Sequence, residues 1–64
     1  MREDLQRMAW SLLNLYVEEE IQKNETIVIL KIIDRICRDN NIPLPIEAVE
    51  INKLLGNPID MTGL

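Results

Sequence analysis

Leu5-Gln6-Arg7-Met8-Ala9-Trp10-Ser11-Leu12-Leu13-Asn14-Leu15-Tyr16-Val17-Glu18-Glu19-Glu20-Ile21 is the stretch that decides the fold. It lies in a run from about Glu3 to Lys23 that contains no Gly or Pro and reads as a helix. On a wheel of about 100° per residue, Leu5, Met8, Ala9, Trp10, Leu12, Leu13, Leu15, Tyr16, Val17 and Ile21 spread over roughly 240°. A surface helix needs an apolar stripe of only about 100° or more. The polar remainder is narrow: Arg7, Ser11, Asn14, Glu18 and Gln22. One neighbouring helix cannot cover so wide an arc, so something must pack against both sides of this one.

Working outward, Asn24 reads as the break. It suits either the left-handed end of the first helix or the cap of the next, with Glu25 in the first turn, where a carboxylate favours the helix dipole. The second segment, about Glu25 to Asp39, is rich in β-branched residues, and Ile27 to Leu30 alone would pass for a buried strand. Helix is the better reading. Ile29, Ile32, Ile33, Ile36 and Leu30, Ile33, Cys37 follow three-four spacing, while Lys31, Asp34, Arg35 and Arg38 gather within roughly 100° on the other side. Two segments of similar length with a short connection predict an antiparallel helical hairpin. A single long helix through Asn24 is the competitor, but its heptad Leu5, Met8, Leu12, Leu15 runs on into Glu19, Gln22 and Thr26, which breaks the seam.

Asn40-Asn41 ends the second helix. Pro43 and Pro45 hold the chain extended, and Pro45 suits the first position of a short third helix from Ile46 to Leu55. Gly56-Asn57-Pro58 is a stop. Residues 1–56 are therefore expected to form a single all-α domain, with residues 57–64 as a tail whose order the sequence leaves open.

At 64 residues the chain is small for a self-sufficient core. A domain of about 60 residues buries only roughly 60% of the surface its unfolded chain exposes. Such chains lean on disulfides, metals or a second chain. Cys37 is the only cysteine and there is no His, so neither an internal disulfide nor a zinc site is expected, and no cofactor or metal ligand set is assigned. Self-association is then the expected source of stability: a homodimer whose hairpins make a four-helix-type bundle through Leu5, Leu12, Leu13, Tyr16, Val17, Ile29, Ile33 and Ile36.

Function is read mainly by exclusion. No catalytic residue is assigned, since the commonest general base is missing and Cys37 falls on the apolar arc. The carboxylates of Glu18-Glu19-Glu20 diverge around a helix and read as solvated. The net charge of −4 argues against general nucleic-acid binding. The stripe of Lys31, Arg35 and Arg38 is a possible contact surface for nucleic acid or an acidic partner, diluted by Asp34 and Asp39. A helix-turn-helix reading of Ile46 to Gly56 fails because residues 57–64 are too short and lack base-reading side chains.

Trp10 and Tyr16 lie towards the edges of the first arc, and Trp10, Ile51, Leu55, Ile59 and Met61 are candidates for meeting a larger protein. The charged start is unlike a signal peptide, and no apolar run approaches the length of a membrane span, so a cytoplasmic protein is expected. Heavy use of Ile, Asn, Lys and Glu fits an AT-rich genome, bacterial or phage. The expectation is a small non-enzymatic module that self-associates and regulates, inhibits or scaffolds a larger protein. The alternatives are a nucleic-acid-linked regulator, such as an acidic antitoxin or small repressor subunit, and a structural subunit of a larger assembly, such as a viral one.

Overall fold

The computed structural model describes residues 1–60. Among them are three helices and no strand: α1 Arg2–Val17, α2 Lys23–Asp39 and α3 Ile46–Leu54. The chain is all-α, as expected, and measures 31 × 24 × 16 Å.

α1 and α2 form the hairpin: Leu12 and Leu15, late in α1, share a groove with Ile29, early in α2. α3 returns alongside α1 in the same direction. Ile46, at its start, lies near Arg2 and Gln6, and Leu54, at its end, lies near Tyr16 and Val17. α1 thus has α2 on one flank and α3 on the other. That is how a single chain answers most of its wide apolar arc.

The core is drawn from all three helices and from the chain beyond them. Leu5, Ala9 and Leu12 of α1 meet Leu30, Ile33 and Cys37 of α2, and Ala48, Ile51, Leu55 and Ile59 close the third side. Leu13, Tyr16, Ile29 and Ile36 pack partly against it.

The hairpin turn differs from the sequence reading. α1 stops at Val17, six residues short of Lys23, and Asn24 sits inside the first turn of α2. Glu19 takes the left-handed conformation, φ 60°, that Asn24 was expected to supply. Its amide donates to the Tyr16 carbonyl at 3.1 Å and that of Glu20 to Leu15 at 2.9 Å, the crossed pair of a Schellman end. Three successive carboxylates at the negative end of the helix dipole disfavour continuation. α2 begins instead from Gln22, whose amide donates to Glu25 Oε1 at 3.2 Å, while the Thr26 hydroxyl donates to the Gln22 carbonyl at 2.8 Å. Buried Thr26 is satisfied this way.

The other two helices end alike. Asn41, φ 54°, and Gly56, φ 84°, occupy the left-handed positions after α2 and α3. Ile42 donates to the Cys37 carbonyl at 2.8 Å and Asn57 to that of Asn52 at 2.8 Å. Pro45 precedes α3 rather than opening it.

The chain after Gly56 is part of the packed unit as far as it is described. Asn52, buried in α3, donates through Nδ2 to the Ile59 carbonyl and accepts from the Ile59 amide, both at 3.0 Å. Ile59 is thereby held in the core, so a boundary after residue 56 cuts through it.

Candidate protein interface

The residues left uncovered by this packing define the candidate site. On the side of the hairpin away from α3, α1 and α2 border an open groove of about 320 Å³ lined by Arg7, Met8, Ser11, Leu12, Leu15 and Ile29. Arg7 is the one charged residue in that lining. Met8, Ser11 and Leu15 share one face of α1, and Ile29, Ile32 and Ile36 share one face of α2, each set at i, i+3, i+7. Met8 is 44% exposed, Ile32 50% and neighbouring Val28 58%. The result is an apolar surface two helices wide over residues 8–15 and 29–36, closed at its ends by Asp4 and Glu18 on α1 and by Glu25 and Asp39 on α2, with Arg7 and Arg35 at its outer edges.

The expected self-association set divides three ways. Leu5, Leu12 and Ile33 are buried within one chain, so they hold the subunit together and are not presented as a surface. They lie at the centre of their helical arcs, where the chain's own core claims them first. Leu13, Tyr16, Ile29 and Ile36 are half-buried. Val17 is 63% exposed, but it lies beside Tyr16, Glu19, Ile21 and Leu54 on the α1/α3 side, away from the groove. Met8, Ser11, Leu15, Val28 and Ile32, outside that set, are exposed beside it, just beyond what the neighbouring helices reach.

The expected partner-binding set also changes. Ile51, Leu55 and Ile59 belong to the core and are unavailable to a partner. Helix α3 has no clean apolar stripe because Ala48, Ile51, Asn52 and Leu55 all turn inward, one of them polar. Met61 lies outside the described residues. Trp10 is exposed, and it borders a second cleft with Glu3, Gln6, Arg7 and Glu47. Glu47 Oε1 is buried there with no hydrogen-bond partner among the described residues.

The basic stripe is largely paired. Arg38 Nε donates to both carboxylate oxygens of Asp34, at 2.9 and 3.1 Å, and its Nη2 reaches the Asp60 carbonyl at 3.3 Å. Arg35 lies 3.8 Å from Asp39. Such exposed pairs contribute only about 0.2–1 kcal/mol each, but they lower the local positive potential that a polyanion would need.

Cys37 is enclosed, and burial first, then the nearby Asp34 charge, pushes its thiol above the ordinary value of 9.0. Both effects oppose the thiolate a nucleophile needs. Among the described residues, no three His, Cys, Asp or Glu side chains gather as a metal site would require, and no helix is long and apolar enough to cross a membrane.

Comparison with protein-family models, curated proteins and solved structures finds no match to this chain.

Proposed function

We propose that this chain is a non-enzymatic protein–protein interaction module of the cytoplasm whose working surface is the open α1/α2 face. The observation that carries the reading is the groove between the hairpin helices, continued by exposed Ile32 and Val28. In so small a molecule, a contiguous apolar patch with a charged rim is what marks a binding surface. Two kinds of occupant suit such a face. One is a second copy, which would complete a four-helix bundle. The other is a helix of a larger protein, which the module would regulate or inhibit by occlusion, or scaffold by bridging.

A photo-crosslinking residue tests the reading directly. Placed at Ser11, inside the groove, it should give protein adducts in the native host. Placed at Lys31, on the polar side of α2, it should give few. Absence of adducts from Ser11, or equal yields from both positions, overturns the assignment.

A further inference from the structure

We draw no further inference here: the strongest candidate, the cleft beside the first turns of α1 and α3 where Trp10 meets Glu3 and Glu47, rests on two carboxylates that Arg7 of the same chain already accompanies, and nothing in the structure shows what else would fill it.

Discussion

Asn52 shows at the scale of one residue how the last described part of the chain is tied down. Its amide makes two hydrogen bonds with the backbone of Ile59, both at 3.0 Å, in the interior. Asn52→Ala would strand a buried N–H and a buried C=O together, a loss of about 2–3 kcal/mol. Urea denaturation measures it, and amide exchange at Ile59 should accelerate in parallel; a change under about 0.5 kcal/mol would show that Ile59 is held by packing alone. Nothing in the sequence marked Asn52. A polar residue on a short helix reads as surface, and its partner is reached only through the turn at Gly56.

Cys37 was legible, because an aliphatic arc surrounds it. Its thiol should react with a disulfide reagent no faster than the fold opens. The raised thiol also has a consequence for stability. Below the unfolded thiol's pKa the contribution is fully present. As pH climbs past about 9 the unfolded chain begins to lose a proton that the folded chain keeps, so stability drains away until the raised folded value is passed. Denaturant midpoints should fall on that alkaline limb in the native chain and fall less in Cys37→Ser. Equal slopes would remove the thiol as the cause.

At the scale of the helices, the existence and order of all three were readable from apolar spacing, while the position of the first break was not. Asn24 looks like a terminator and Glu19 does not. The turn nevertheless forms at Glu19, because Gln22, Glu25 and Thr26 together start α2 ahead of Asn24. These local bonds are individually small and leave no periodic trace. The cost of placing a glutamate in the left-handed region gives a direct test. Glu19→Gly relieves that strain and removes a carboxylate from the negative end of α1. The variant should be more stable by roughly 0.5–1 kcal/mol, after the added chain entropy of glycine is deducted. A destabilised variant would mean that the Glu19 carboxylate makes a compensating contact at the hairpin end.

For the molecule as a whole, what the first helix demanded was a neighbour on either side. α3 supplies one of them from within the chain, which sequence spacing alone did not assign. The remaining need is smaller than the wide arc suggested, and it has moved from the arc's centre to Met8 and Leu15 at its edge. Leu12→Asp would not isolate association, since it would unfold a subunit with or without a partner. Concentration is the better probe. If two copies cover each other's α1/α2 face and fold together, a hundredfold rise in concentration adds about 2.7 kcal/mol to the folded assembly. Spread over the unfolding entropy of two such chains, that raises the thermal midpoint by roughly 10 °C. Ser11→Arg, with its core intact and its face charged, should unfold at a midpoint that ignores concentration. A native midpoint equally indifferent over that range would show each 64-residue chain standing alone, its own core sufficient and its open face left for another protein.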